Sequence, residues 1–277
     1  MSRPLGQHFL HDPKILSRIV DALEPRPSDC VIEIGPGLGT LTEQLARKVA
    51  RVVAIERDRG LMRLLQARAG AEPLPGGPRE RVGEPLADNV ELVEGDALRV
   101  DWHALACPPP ADSGCTFKVV GNIPYYITSP LIEKALSPPD PEVVVFLMQR
   151  EVADRVVAPP GSRTYGALSV GVQSVARVEQ VFAVRRGSFR PPPNVDSSVI
   201  RFRPLDEPLV GPEERRAYRQ FVTQVFSQRR KQLRRILRGM WDASEVEPRL
   251  GRLGIDPAAR PETLQPAMFA ALFHSHR

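Results

Sequence analysis

The chain has 277 residues, 42% of them hydrophobic, with 38 Lys+Arg against 33 Asp+Glu and three cysteines. That length supports a sizeable core and more than one domain. No apolar run reaches the roughly 18 residues that a membrane-spanning helix needs. The basic excess is C-terminal: residues 201–277 hold 15 Lys+Arg and 9 Asp+Glu, which leaves 23 and 24, a net of −1, for residues 1–200. A basic region on a near-neutral body fits a nucleic-acid partner; the alternative is a solvated helix face on an arginine-rich chain. Residues Met1–His8 lack the apolar core of a signal peptide, so a cytoplasmic protein is expected. Cys30, Cys107 and Cys115 show no CxxC spacing and no His cluster. They are read as small buried or half-buried thiols, with neither a disulfide framework nor a metal site.

In chain order, helical spacing of Ile15, Leu16, Ile19, Val20 and Leu23 predicts a helix over 13–24, stopped by Pro25-Arg26-Pro27-Ser28. Cys30–Ile34 reads as a strand, followed by a helix from Thr40 to about Ala50. Arg51–Ile55 reads as a second strand closed by Glu56, with a helix over 58–69. Residues 70–89 are Pro/Gly-rich and aperiodic, a surface excursion. Val90–Glu94 is a third strand ending at Gly95-Asp96, and 101–115, with Pro108-Pro109-Pro110, is irregular. Phe117–Gly121 is a strand running into Asn122, followed by a helix near Ser129–Leu136 and a strand over 143–148. Leu168–Gln173, Gln180–Val184 and Ser198–Phe202 look like further strands, and after Pro204 the pattern is helical. The alternation predicts an α/β fold with a doubly wound parallel sheet over residues 1–204, and a smaller all-helical domain over 205–277.

The chemistry gathers at strand ends. Glu33-Ile34-Gly35-Pro36-Gly37-Leu38-Gly39 lies between the first strand and its helix, where glycines let the backbone approach a ligand. A dinucleotide fingerprint would read G-x-G-x-x-G; here the third glycine comes one position early and Thr40 stands in its place. Glu56 can accept from both hydroxyls of a ribose, and Asp96 from an adenine amino group. Asn122-Ile123-Pro124-Tyr125 supplies a carboxamide acceptor, a stiff turn and a π-face for a base. Taken alone, those four residues are equally at home in an ordinary turn.

Taken together, these residues resemble the KsgA-type ribosomal RNA adenine dimethyltransferases. The likeness is carried by Gly6-Gln7-His8-Phe9-Leu10 (His8 where the family has Asn), the loop within Val31–Gly39, Asn122–Tyr125, Gln149-Arg150-Glu151-Val152 and Tyr165–Ser169. Phe189-Arg190-Pro191-Pro192-Pro193-Asn194-Val195-Asp196-Ser197, with Asn194 for Lys, and Phe226–Leu233 extend it, so it runs from residue 3 to about 240. The resemblance implies a Rossmann-like methyltransferase that uses S-adenosyl-L-methionine to methylate the N6 amines of two adjacent adenosines. In the family these lie in a hairpin loop of 16S rRNA and are modified late in 30S assembly, two methyls on each. It places donor contacts on His8, Leu10, Gly35, Gly37, Glu56, Asp96 and Asn122.

For the transfer itself, the Asn122 carboxamide oxygen and the Ile123 carbonyl can accept the amine's protons and aim its lone pair at the methyl, with Pro124 shaping the turn. Tyr125 stacks on one face of the flipped base, and Phe189 on the other unless it is a core aromatic beside a Pro-rich turn. Arg230, Arg234 and Arg238 recur at i, i+4 with Lys231 and Arg235 beside them. They predict a cationic ridge on one or two helices within 215–240 that grips RNA phosphates, with Arg190 adding charge near the base. A monomer is expected. The competing readings are a large-subunit rRNA adenine methyltransferase conferring antibiotic resistance, and a non-catalytic RNA-binding assembly factor on the same fold. A nicotinamide-dependent reductase fails on the glycine spacing.

Overall fold

A computed structural model describes residues 8–70, 85–108 and 115–275. Gly6, Gln7, most of the 70–89 excursion and Pro109-Pro110 lie outside the described residues. The chain divides into two compact units. One takes in the described residues up to Ala153 with Glu179–Arg203; the other takes in Asp154–Val178 with the described residues from Pro204.

In chain order the elements run β1 (Phe9–Leu10), α1 (Pro13–Ala22), β2 (Cys30–Ile34), α2 (Thr40–Ala46), β3 (Arg51–Glu56), α3 (Arg59–Arg68), β4 (Val90–Glu94) and α4 (Trp102–Ala106). They continue with β5 (Lys118–Asn122), α5 (Thr128–Ala135) and β6 (Val143–Gln149), then α6 (Arg150–Val156), α7 (Ala167–Gln173), β7 (Ala176–Val184), β8 (Phe189–Arg190) and β9 (Ser197–Pro204). The main sheet has the order β4-β3-β2-β5-β6-β9-β7. The first five strands of that order pair in parallel, and β9 is antiparallel to β6. The central strands β3, β5 and β6 are Val-rich and buried on both faces, as parallel strands under helices must be. The edge strand β7 instead mixes buried and exposed positions. Asp12 caps α1 by accepting from the Lys14 and Ile15 amides, with Pro13 at the first helical position.

The helical unit adds α8 (Arg215–Phe226), α9 (Leu233–Leu237), α10 (Ala243–Arg252) and α11 (Pro266–Ser275). Its core gathers Tyr165, Val170, Tyr218, Val222, Leu233, Leu250 and Phe269. That core is why Asp154–Val178 falls in this unit, which a single cut at 204/205 does not anticipate.

Four expectations are corrected. Leu168–Gln173 is helical, because the Gly166 amide donates to the Ser169 hydroxyl at 3.0 Å and starts a helical turn; a short apolar run leaves that choice open. The 101–115 stretch contains α4, capped by Asp101. Cys107 and Cys115 form a disulfide, their Cα atoms 6.0 Å apart. A reducing compartment does not favour such a bond. Finally, the ridge of arginines is not one helical face. The chain leaves α8 at Phe226, and the amides of Leu233 and Arg234 are taken by the carbonyls of Ala259 and Pro257. Arg230 and Lys231 therefore sit in the link and Arg238 caps α9.

Candidate active site

Strand register aligns the residues that end the parallel strands. Ile34 stands opposite Ile55 and Gly121, Glu56 opposite Glu94, and Asn122 opposite Leu147. Gly35, Glu56, Gly95-Asp96 and Asn122 thus share the carboxyl edge of the sheet, where open α/β sheets bind ligands. A cleft, partly open to solvent, lies at that edge. His8, Phe9 and Leu10 line it with Glu33, Gly35 and Gly37, and so do Glu56 and the run Asn122–Tyr125. Leu16, Ile19, Leu41 and Leu61 give it an apolar wall. The mixed polar and apolar lining suits a small-molecule site.

The glycine turn is required by geometry. Gly35, Gly37 and Gly39 have φ of +67°, +59° and +80°, a region that disfavours any side chain. A Cβ on Gly37 would stand 3.1 Å from the Phe9 ring, so the turn packs directly against β1 at the cleft.

The charge of the cleft discriminates between ligands. Glu33 and Glu56 are its carboxylates, and no lysine or arginine among the described residues lines it. A pyrophosphate would meet two acids and no cation, whereas a ligand bearing a sulfonium or ammonium would be favoured. Glu33 is 1% exposed and accepts from the Thr42 hydroxyl at 2.6 Å. Burial, and secondarily the neighbouring Glu56, push its pKa up to about 7, against the opposing pull of that hydrogen bond. Glu56 accepts from the Arg57 and Asp58 amides at 2.8 Å through Oε1 and from the Gly37 amide at 3.3 Å through Oε2. Burial raises its pKa, while these amides pull it down. Three of its four acceptor positions are filled, which leaves one for a ligand hydroxyl.

At the end of β5 the Asn122 amide nitrogen donates to the His8 carbonyl at 2.9 Å. One of its two N–H groups is therefore held at β1's entry, which orients the carboxamide, and its oxygen is the acceptor. The Ile123 amide donates to Leu147 across the sheet at 3.2 Å, fixing the backbone whose carbonyl follows. Pro124 begins a 3₁₀ turn over Tyr125–Ile127, closed by the Thr128 hydroxyl on the Tyr125 carbonyl at 3.2 Å. The Tyr125 hydroxyl meets Ser197 Oγ at 3.0 Å, and burial raises the phenol's pKa. The His8 ring lies 5.9 Å from the Tyr125 ring at 29°. Its Nδ1 faces the Pro191 carbonyl at 2.8 Å. A carbonyl only accepts, so Nδ1 carries a proton and Nε2 is left for a ligand.

The cleft thus brings together His8, Leu10, Gly35, Gly37, Glu56 and Asn122–Tyr125 of the expected site. Asp96 lies at the same strand-end edge but not in the lining; it accepts from the Leu98 amide at 3.0 Å and pairs with Arg57 at 3.5 Å. Phe189 is corrected: it is 1% exposed, opposite Leu10 in β8 and part of the core with Leu16 and Phe182, so its ring has no free face. Arg190, its strand neighbour, is exposed. Arg230, Arg234, Arg235 and Arg238 are in the helical unit with Lys231, all of them exposed, and Arg238 is bound to Glu247 at 2.9 Å. Glu33 and the apolar wall were not singled out from sequence. An acid inside an apolar strand was the available signal for Glu33, while the wall residues read simply as core. Among the described residues no group of three or more His, Cys, Asp or Glu is placed to hold a metal ion.

A Rossmann-like sheet with a glycine turn after β2, an acidic cleft and an amide-proline-aromatic turn at the end of β5 defines a methyltransferase. The model of the ribosomal RNA adenine dimethylase family matches residues 2–276, and the chain belongs to that family. Among curated relatives, the ribosomal RNA small subunit methyltransferase A of Geobacillus thermodenitrificans is 41% identical, over 98% of this chain and 89% of its own. The protein of that name from Synechococcus elongatus is 43% identical over 94% and 89%. Among solved structures, a dimethyladenosine transferase from Plasmodium falciparum has a TM-score of 0.79 at 27% identity, covering 97% of each chain. The 23S rRNA methyltransferase ErmE has a TM-score of 0.69 at 29% identity, covering 96% of this chain and 98% of its own.

Proposed function

We propose that this protein transfers methyl groups from S-adenosyl-L-methionine to the N6 amines of two adjacent adenosines in a small-subunit rRNA hairpin loop. It acts as a monomer on a pre-ribosomal 30S particle in the cytoplasm. The single observation that carries this reading is the orientation of Asn122. With its amide nitrogen held by the His8 carbonyl, its oxygen is the acceptor offered at the cleft, one residue from the Ile123 carbonyl. Two acceptors in that position suit an exocyclic NH₂ and no anionic group.

The residues divide the work. Glu56 offers its remaining acceptor position to the ribose of the donor, and the Gly35–Gly37 turn lets backbone lie against it. His8 offers Nε2, Leu10 an apolar contact, and Asp96 its carboxylate at the neighbouring strand end. When bound, S-adenosyl-L-methionine supplies an electrophilic methyl on a positively charged sulfur, which fits a cleft lined by the acids Glu33 and Glu56 and by no lysine or arginine among the described residues. The target base leaves its stack and lies on the Tyr125 ring, while Asn122 and Ile123 accept from its amine and direct the nitrogen lone pair. Pro124 holds the turn that sets Tyr125 beside Asn122. Arg190, Arg230, Lys231, Arg234, Arg235 and Arg238 bind RNA phosphates.

A large-subunit target is the second reading, favoured by the likeness to the 23S enzyme; the small-subunit names of relatives at 41% and 43% identity weigh more. The test is to incubate the protein with labelled donor and each unmodified ribosomal subunit, then map the modified base. Two adjacent dimethylated adenosines in the small subunit are expected; label confined to the large subunit overturns the assignment.

A further inference from the structure

We propose that Tyr126 and Val195, with the cations of Arg185, Arg186 and Arg190, form a stacking shelf for the base next to the adenosine held in the cleft. The proposal rests on the RNA-methylating reading above and adds a second base site to it.

Among the described residues three large hydrophobic side chains are exposed, and two of them are Tyr126 at 57% and Val195 at 44%. Isolated exposed apolar groups are ordinary; these two flank one hydrogen bond. Tyr126 follows Tyr125, whose hydroxyl meets Ser197 Oγ at 3.0 Å, and Val195 lies two residues before Ser197. The two apolar side chains therefore stand on segments clipped together beside the cleft.

The backbone that displays Tyr126 is fixed. Ile123 on one side and Thr128 on the other are 1% and 2% exposed, and the turn is closed by the Ile127 amide on the Pro124 carbonyl at 3.1 Å. A bulky ring held outward on a rigid turn, with no ring or hydrogen-bond partner among the described residues, offers an open π-face. Cations are tied to the same clip. Asp196, between Val195 and Ser197, accepts the Arg186 amide at 3.0 Å, and Arg190 stands opposite Phe9 of the cleft wall. Arg185, Arg186 and Arg190 are exposed and form no ion pair within the described residues.

An aromatic ring, an apolar neighbour and uncommitted guanidinium groups together suit single-stranded RNA, whose bases stack and whose phosphates need cations. The occupant is identified by the reaction. Turning one adenosine into the cleft strips a stacking partner from its neighbour, and a ring at the rim replaces it. The phenol hydroxyl has no part in this, so phenylalanine should serve as well as tyrosine.

The experiment uses the full chain, wild type and with Tyr126→Ala or Tyr126→Phe. The RNA is a target hairpin carrying 2-aminopurine next to the methylated position. Wild type and Tyr126→Phe are expected to quench the probe on binding. Tyr126→Ala should lose the quench and raise the KM for RNA about tenfold, with donor affinity unchanged as the control for folding. Equal quench and equal KM in Tyr126→Ala overturn the shelf while leaving the methylation reading intact. A quench that persists in Tyr126→Ala but disappears in Tyr125→Ala assigns the probe to the cleft and also overturns the shelf. A wild-type protein that methylates no ribosomal RNA overturns both.

Discussion

The four tyrosines of the chain fall into two pairs used in opposite ways. Tyr165 and Tyr218, in the helical unit, are completed by the protein. They are 0% and 1% exposed, their hydroxyls meet the Leu264 carbonyl and Ser174 Oγ at 2.8 Å, and their rings stand edge-on to Phe226 and Phe273. Burial pushes both phenols up, Tyr218 to about 12 against a smaller downward pull from Ser174. Tyr125 and Tyr126, at the end of β5, are left incomplete, one half-buried in the cleft lining and the other exposed. An aromatic ring surrounded by its own chain contributes to stability. A ring held rigidly but left bare stores no such contribution and is available to a ligand.

The largest expected effect tests that contrast directly. Tyr218→Ala should lower folding stability by about 3–5 kcal/mol, the range for truncating a large core aromatic, whereas Tyr125→Ala should lower it far less and abolish turnover. Urea midpoints for the two variants decide it; equal midpoints would break the comparison. Next, Asn122→Ala removes an acceptor placed for the transition state. A loss of ~2.7–4 kcal/mol, or about 10²–10³ in kcat, is expected. Donor affinity measured calorimetrically should change much less; normal turnover would remove Asn122 from its role.

Glu33 sharpens the comparison from the cleft side, as a buried acid in a wall otherwise built for stability. Its folded pKa of about 7 exceeds the ordinary 4.5, so between these values the folded protein holds a proton that the unfolded chain has released. Stability therefore falls as pH rises through that window, and above about pH 7 the full cost, about 3 kcal/mol, is present. Glu33→Gln keeps an acceptor for Thr42 and removes the titration. It should be more stable than wild type at pH 8 and similar at pH 4.5; identical pH slopes would refute the assignment. The smallest effect belongs to the exposed cations. Arg234→Ala should weaken RNA binding modestly and reduce the slope of log K against log salt by about 0.7–0.9, as for one phosphate contact. An unchanged slope would place Arg234 off the RNA path.

Much of the fold was legible because it is local. Cys30–Ile34, Val90–Glu94 and the run into Asn122 are apolar segments too short for helices and bounded by Gly, Pro or acids, and they became β2, β4 and β5 at nearly the expected limits. Leu168–Gln173 was misread because a short apolar run carries no reliable period, and the Gly166–Ser169 bond that decides it is a side-chain contact. The disulfide was missed because the separation of Cys107 from Cys115 matches no spacing rule; only the 6.0 Å approach of their Cα atoms reveals it.

The sequence by itself determined which chemical groups stand at the strand ends: three glycines with no Cβ, the acids Glu56 and Asp96, an amide and an aromatic, with basic charge gathered after residue 200. Residue type and strand limits are properties of short stretches, so they survive without knowledge of the rest of the chain. Tertiary structure decided which of those groups face the cleft and which are enclosed. Phe189 went into the core because β8 pairs with β1, a strand from the other end of the unit's sequence. Asn122 was oriented by the carbonyl of His8. The arginine ridge was divided by a loop at 257–259. Each of these outcomes depends on burial and on partners distant in sequence, and neither is encoded in a local pattern.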